Sequence, residues 1–412
     1  MEKLQAYKFR VYFDAQQQST IYQWCRASDW VYNWGLNLKN EDRKKYLVHI
    51  EGGGDKKDFK SLGKFDLSKM LTDLKKEEDT AWLKEVEKSI LTYCLDNLDK
   101  AFKNFYRNLK SGKAVKSAGV PAFKSKHKGV KSCTIAVDLA KIKKNPNWMR
   151  PIKLNKKYYG IKIPKIKKLV KIRMHREIEG TMKAVTFSEA PDGWYISILT
   201  KREVPTPKNK SKTIVGIDRG IKIHTVSSEG YEYHLPDSVD ELREKRIKAQ
   251  RKLKRMERGS NNSRKQYKKI AILHMRESRA REYFLHFVAN DLLVDAKAVV
   301  LEDLNIKNMS KSAKGDAENH GKNVKPKQGL NREILKQAWG KLDTMLQYKA
   351  NWNGTEIVKI NPRNTSRKCH NCGHVAKESR KTQADFECVR CGHRQHADYN
   401  AALNIRAAYV NK

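Results

Sequence analysis

At 412 residues the chain is too long for one compact domain of roughly 100 to 200 residues, so two to four modules are expected. Its 87 Lys and Arg against 46 Asp and Glu leave a formal net charge of +41, which destabilises a compact chain by self-repulsion unless a polyanion neutralises it. Nucleic acid is the expected polyanion; an anionic membrane fits less well, because the basic residues are spread along the chain rather than gathered in one amphipathic helix or tail.

Apolar residues make up 39%, with 8 Trp, 17 Tyr and 11 Phe, enough for packed cores and too many for a wholly disordered basic protein. No apolar run approaches the roughly 18 residues of a membrane span, and MEKLQAYKFRVYF does not read as a signal peptide. A cytosolic protein without a membrane partner is expected.

The alternating segment from Ala6 to Phe13 predicts a strand. From Asp14 to about Leu109 the pattern is helical, clearest where Ile90, Leu91, Cys94, Leu95, Leu98, Phe102 and Phe105 recur at three- and four-residue spacing, with a loop at HIEGGGDKK. Within it Trp24, Trp30, Tyr32 and Trp34 read as core side chains rather than base-stacking platforms. Residues 110–157 are intensely basic and cut by Gly and Pro; Lys124, Lys126 and Lys128 are candidate phosphate contacts that would position nucleic acid without reading it. A β-rich stretch runs from Gly160 to Thr200, its strands MKAVTFSE and GWYISILT joined at Pro191, Asp192 and Gly193. VPTPKNKSK, 204–212, reads as a linker.

Beyond the linker the pattern is α/β. Strands are expected at 213–220 (TIVGIDRG), at 221–228 and at YEYHLP. A helical pair follows, from Ser238 to Arg258 and from Ser263 to Val294, broken at SNNS. Its first helix has a narrow apolar stripe, Leu242, Ala249, Leu253 and Met256, and a dense basic face on which Arg251, Lys252 and Arg255 are candidate phosphate contacts. Then come a buried strand at 296–304 (AKAVVLEDL), a loop or lid over 307–332, a helix from Glu333 to Asn351 and a strand at 355–360.

Of seven cysteines, Cys25, Cys94 and Cys133 lie far apart and read as buried thiols. The other four form Cys369-x2-Cys372-x15-Cys388-x2-Cys391, two knuckles each followed by Gly, the spacing of a tetrahedral structural zinc ribbon. Four thiolates close the coordination sphere, which argues against a catalytic zinc. A dispersed set of acids is the second signal: Asp218 at the end of one buried strand, Glu302 at the end of another, and Asp398 opening a helix after the ribbon. That is the layout of an RNase H-type nuclease, in which carboxylates converge on two divalent ions roughly 3.5 to 4 Å apart. Asp303 is expected on the opposite side of its strand, and Arg363 and Ser366, entering the ribbon, are candidate phosphate contacts.

GIDRGIK, VVLEDLNIKNM, NPRNTSRKCHNCG, CVRCG and DYNAALNI, in this order and spacing, resemble the RuvC-like nuclease of the TnpB family, transposon-encoded RNA-guided DNA endonucleases related to the miniature type V CRISPR effector nucleases. AYKFRVYF, WVYNWGL, AFKNFYR and VPAFKSK resemble the family's recognition half, so the likeness covers nearly the whole chain. It implies a bilobed protein of α/β, β-barrel and helical modules. A wedge (WED) β-barrel at 1–14 and 113–208 would be split by a helical recognition (REC) domain at 15–112; an RNase H-like RuvC domain at 209–361 and 395–412 would carry the zinc ribbon at 362–394. Asp218, Glu302 and Asp398 would be the catalytic ligands of Mg²⁺, with Mn²⁺ as a substitute, and Cys369, Cys372, Cys388 and Cys391 the ligands of Zn²⁺. Guide RNA and double-stranded target DNA would be the partners, in a prokaryotic, nucleoid-associated setting. Arg219 stands where the family usually has an apolar residue, and His396-Ala397-Asp398 replaces the usual Asp-Arg-Asp. The alternatives are a miniature type V CRISPR effector and a nuclease-dead, RNA-guided DNA-binding repressor; a strand-transferring transposase is a third.

Overall fold

The structure, a computed structural model, describes residues 1–125, 131–138, 140, 144, 148–315 and 320–410. Lys126 and Lys128 lie outside the described residues. The chain divides into two compact units, Met1–Val204 and Pro205–Lys412, parted at the start of the expected linker.

The first unit holds β1 (Glu2–Tyr12), α1 (Ala15–Glu51), α2 (Lys64–Leu74), α3 (Lys88–Lys110) and six further strands. These are β2 (Ser132–Ala136), β3 (Ile152–Lys153), β4 (Tyr158–Ile161), β5 (Val170–Arg173), β6 (Thr181–Ala190) and β7 (Gly193–Glu203). They pair antiparallel in the order β2-β6-β7-β1-β5-β4-β3, with β2 and β3 at the ends of the order. β1 lies in mid-sheet because its alternation buries Tyr7, Phe9 and Val11 on one face. α1 starts where Asp14 accepts the Gln17 amide and the Gln17 side chain accepts the Asp14 amide, a reciprocal cap. The predicted stripe of α3 is buried at Ile90, Leu91, Cys94, Leu95 and Leu98 in one core with α1 and the sheet. Trp24 and Tyr32 are buried there and Trp34 is partly so, whereas Trp30 is 39% exposed and meets Trp82 edge-on at 5.8 Å. Cys25, Cys94 and Cys133 are buried free thiols, and burial pushes Cys94 up to about 12.

The second unit is built on a five-stranded sheet of order β10-β9-β8-β11-β12: β8 (Thr213–Asp218), β9 (Thr225–Ser227), β10 (Glu232–Tyr233), β11 (Ala296–Glu302) and β12 (Glu356–Ile360). β8, β11 and β12 are parallel neighbours, while β9 and β10 return antiparallel. The helices are α4 (Asp237–Leu253), α5 (Asn261–Asp291), α6 (Ile306–Met309), α7 (Val324–Gln337), α8 (Trp339–Asn353) and α9 (Ala397–Val410). Side chains of β8 and β11 alternate between two cores. Val215, Ile217, Val299 and Leu301 meet α5 and α8 through Leu285, Val288, Leu342 and Leu346, whereas Ile214 and Val300 meet Ile405 of α9. Both faces being covered, β11 reads as an almost continuous apolar run.

Two expectations are corrected. Of the strand expected at 221–228, only Thr225–Ser227 pairs; the Gly220 amide bonds the His224 carbonyl at 3.3 Å, closing a loop whose Ile-Lys-Ile alternation imitates a strand. The loop expected over 307–332 is shortened at both ends, by α6 to Met309 and by α7 from Val324, and the helix expected from Glu333 to Asn351 is the end of α7 and most of α8, separated by Ala338 at φ +54°. Pro326 does not prevent α7, because it lies in the first turn, where no intrahelical N–H bond is lost.

Gly216 in β8 lies directly under α9: a Cβ built there would sit 2.3 Å from the Ala402 carbonyl oxygen and 2.5 Å from the Arg406 amide. Gly216→Ala must therefore push α9, and Asp398 with it, off the sheet. Urea unfolding is expected to give a loss of about 3 kcal/mol, and an unchanged midpoint would contradict this packing.

Candidate active site and metal centre

On the β8 side the parallel ladder ends at the pair Ile217–Leu301, and the next residues, Asp218 and Glu302, close their strands side by side. Asp398 stands in the first turn of α9; a Cβ on Gly220 would lie 3.9 Å from its Oδ2, so the end of β8 runs close beside it. Burial pushes the Asp218 carboxyl up to about 7, with the charges of Glu302 and Asp398 adding to the rise, against the Arg219 amide and the Arg380 guanidinium. Glu302 is raised too, by burial, against the Thr365 hydroxyl and Arg219. Asp218 thus feels the charges of both other predicted carboxylates in a partly dry space, but the three do not form a closed ligand set: among the described residues only the four cysteines bring three or more ligand atoms within 4.8 Å of one another. An all-oxygen donor set with excess negative charge fits hard divalent cations.

Together with Arg219, two residues that nothing in the sequence singles out, Thr365 and Arg380, hold these acids. Thr365 donates its hydroxyl to Glu302 Oε1 at 2.6 Å. Arg380, from the cysteine-bearing insertion, reaches Asp398 Oδ1 at 3.3 Å. Arg219 donates to the Glu302 carbonyl and to Asp343 Oδ1, both at 2.6 Å. Asp303 turns away as expected, 67% exposed beside Lys359 at 3.5 Å. His224 is buried; its Nε2 donates to the Gln337 carbonyl and its Nδ1 accepts from Thr225, and burial holds it down at about 4 as a neutral imidazole.

The other candidates are scattered. Arg251, Lys252 and Arg255 are exposed and line, with Lys248 and Met256, an open cleft of about 550 Å³ at the end of α4. Lys124 packs against α1, bound to Asp29 at 3.0 Å and 4.8 Å from the centre of the Tyr32 ring, its backbone pinned by Asn33. Arg363 is exposed and Ser366 half-buried, and it is Thr365 between them that turns in to the acids.

The four cysteines of the insertion form a second cluster, with ligand atoms all within 4.8 Å of one another. The two knuckles repeat one pattern: Gly373 and Gly392 donate to the carbonyls of Cys369 and Cys388, both at 2.9 Å, and the amides of Cys369 and Cys388 return to His374 and His393. Gly373 and Gly392 have φ of +73° and +67°, as that turn demands. Sulfurs face each other at 3.8 Å (Cys369–Cys391) and 3.5 Å (Cys372–Cys388). Tetrahedral metal–sulfur bonds of about 2.3 Å separate sulfurs by about 3.8 Å, so the cluster is already dimensioned for one ion.

Three family models match the chain: "Helix-turn-helix domain" over residues 1–46, the IS605 OrfB model described as "Probable transposase" over 197–313, and "Cas12f1-like, TNB domain" over 339–405. Residues 1–46 hold one strand and one unbroken helix, whatever the first description says. The Escherichia coli (strain K12) protein named "Putative RNA-guided DNA endonuclease InsQ" is 34% identical over 410 residues, 99% of this chain and 93% of that one. A Streptomyces pristinaespiralis protein, "Putative RNA-guided DNA endonuclease", is 30% identical over 83% of this chain and 76% of its own. Among solved structures, the cryo-EM Cas12f1–sgRNA–target DNA complex matches with TM-score 0.53 and 18% identity over 96% of this chain and 83% of that one, a likeness of fold. Fold and relatives together put the chain in the class of IS605-type transposon proteins and Cas12f1-like effectors. Within that class, it belongs to the TnpB family.

Proposed function

We propose that the chain is an RNA-guided DNA endonuclease: it binds a structured guide RNA, recognises a short target-adjacent DNA motif and hydrolyses DNA in a single RuvC-type site. The observation that carries the reading is the placement of Asp218 and Glu302 at adjacent strand ends of the mixed sheet, with Asp398 in the first turn of α9 close beside the end of β8. The relatives named as endonucleases, matched over 93% and 76% of their length, supply the substrate class. In this reading residues 209–361 and 395–412 are the RuvC domain, 362–394 a zinc ribbon, and the first unit a wedge split by recognition helices at 15–112.

Asp218, Glu302 and Asp398 would hold Mg²⁺, which when bound activates water and stabilises the leaving oxygen. The protein's own part is to present the acids from two adjacent strand ends and one helix start. Thr365 and Arg219 orient Glu302, and Arg380 orients Asp398. Arg251, Lys252, Arg255 and Arg363 are proposed phosphate contacts. Relatives named Cas12f1 match less of the chain, 57% at 25% identity, which favours a transposon effector over a CRISPR one.

The test is to purify the protein with its co-bound RNA, then offer duplex DNA matched to that guide with Mg²⁺ or EDTA. Guide-dependent cutting that EDTA stops is the expected result. Guide-dependent binding with no cutting in Mg²⁺ or Mn²⁺ would make the chain the RNA-guided repressor instead.

A further inference from the structure

The residue that departs from the family pattern, Arg219, is among the most enclosed charges of the second unit, its side chain 1% exposed. It follows Asp218 directly, and its amide donates to Asp218 Oδ1 at 2.9 Å. Its guanidinium crosses to the neighbouring strand, where one terminal nitrogen donates to the Glu302 carbonyl and the other to Asp343 Oδ1 of α8, each at 2.6 Å. Nε is buried with no acceptor, so the fork is held through its two terminal nitrogens. Asp343 is fixed from the other side by Lys359 of β12 at 3.3 Å.

The position of this fork matters. Backbone pairing between β8 and β11 stops at Ile217–Leu301, one residue before the two acids. Beyond that point the strand ends carry like charges and no ladder bond holds them together. Arg219 replaces the missing ladder bond: it joins β8 to the backbone of Glu302 and ties both to α8. An apolar residue here would leave the Glu302 carbonyl without this donor.

We propose that Arg219 is a positioning residue that sets the separation of the Asp218 and Glu302 carboxylates and so the affinity of the site for divalent ions. Planar, two-pronged donation is what the place requires; a lysine ammonium keeps the charge but cannot span the Glu302 carbonyl and Asp343 in the same fixed geometry. Loss of the guanidinium leaves Asp343 paired with Lys359, so Arg219→Met does not strand a buried acid.

The proposal rests on the reading that the three carboxylates bind metal, and the experiment separates the two. Mn²⁺ affinity of the RNA-bound protein is measured by calorimetry without DNA, for wild type, Arg219→Met and Arg219→Lys, beside guide-RNA affinity and the kcat and KM of cleavage. Arg219→Met is expected to weaken Mn²⁺ binding about tenfold or more and to lower kcat at limiting metal, with RNA affinity and KM for DNA unchanged; Arg219→Lys should recover only part. Wild-type Mn²⁺ affinity in folded Arg219→Met overturns the proposal, as does a parallel loss of RNA binding, which marks general damage. Should Arg219→Met not fold, wild-type affinity in Arg219→Lys overturns it. Failure of the wild type to bind Mn²⁺ overturns the metal reading itself.

Discussion

Asp218→Asn is expected to abolish DNA cleavage and, in the absence of metal, to make the protein more stable at pH 8. The first effect follows from removing one anionic ligand of the proposed ion pair. The second follows from the electrostatics. Asp218 titrates near 7 in the folded chain against 3.8 ordinarily, because it is buried beside Glu302 and Asp398. A group whose folded value is raised holds its proton more tightly folded than unfolded, so native stability is greatest below about 4, falls as pH rises, and has lost the full amount above about 7. Asparagine keeps the size and the oxygen that accepts the Arg219 amide, and carries no charge to desolvate.

Metal-free Asp218→Asn should therefore unfold at higher urea than wild type at pH 8, by about 1–3 kcal/mol, and the difference should vanish near pH 4. Adding Mg²⁺ should stabilise the wild type and not the variant. Equal stability of the two proteins at pH 8, or retained cutting by the variant, would remove Asp218 from the site. The stability cost carried by the native acid is the mark of a site kept for chemistry rather than for folding.

What the sequence made legible here is what is written locally. Each C-x2-C pair, each strand end and each turn of the α3 stripe is written within a few residues, so periodicity and turn chemistry reveal them. The supports of the site do not. Arg219 and Asp343 are 124 positions apart, Thr365 and Glu302 63, and no period links them. In the sequence Arg219 is only a departure from the family pattern; its charge gains meaning where α8 supplies Asp343 as a partner. Nothing in the sequence separates Thr365 from its neighbours Arg363 and Ser366; only burial does, turning Thr365 in to Glu302. The two misread segments have a common cause. Alternation at 221–224 came from a loop closed by backbone bonds, and α7 buries only Ile334 and Gln337, too few for an apolar period to emerge.

Stripping metal from the cysteine cluster is expected to unfold residues 369–396 and to stop DNA cleavage even when Mg²⁺ is restored. This segment has almost no core of its own: Phe386 with Cys369, Cys388 and Ala397, and one two-stranded ribbon, β13 (Asp385–Glu387) against β14 (Arg394–His396). If the ion is zinc, as we propose, its binding is the folding energy of the ribbon. The loss should travel to the acids, because the insertion is bonded to the final helix at several points. The His370 amide donates to Asn400 Oδ1 at 3.0 Å, Asn400 and Asn404 donate to the Lys368 carbonyl, the Ala397 amide bonds the Ala384 carbonyl at 2.7 Å, and Arg380 holds Asp398. With the ribbon gone, Asp398 keeps its helix and loses the group that orients it. After chelation, hydrogen exchange should show protection lost first at 369–396 and kept in the first unit's sheet, with Zn²⁺ or Cd²⁺ restoring both protection and cleavage. Cys388→Ser should reproduce the chelated state. Full protection of 369–396 in metal-free protein would mean that hydrogen bonds alone sustain the knuckles, and the cluster would then be no folding element.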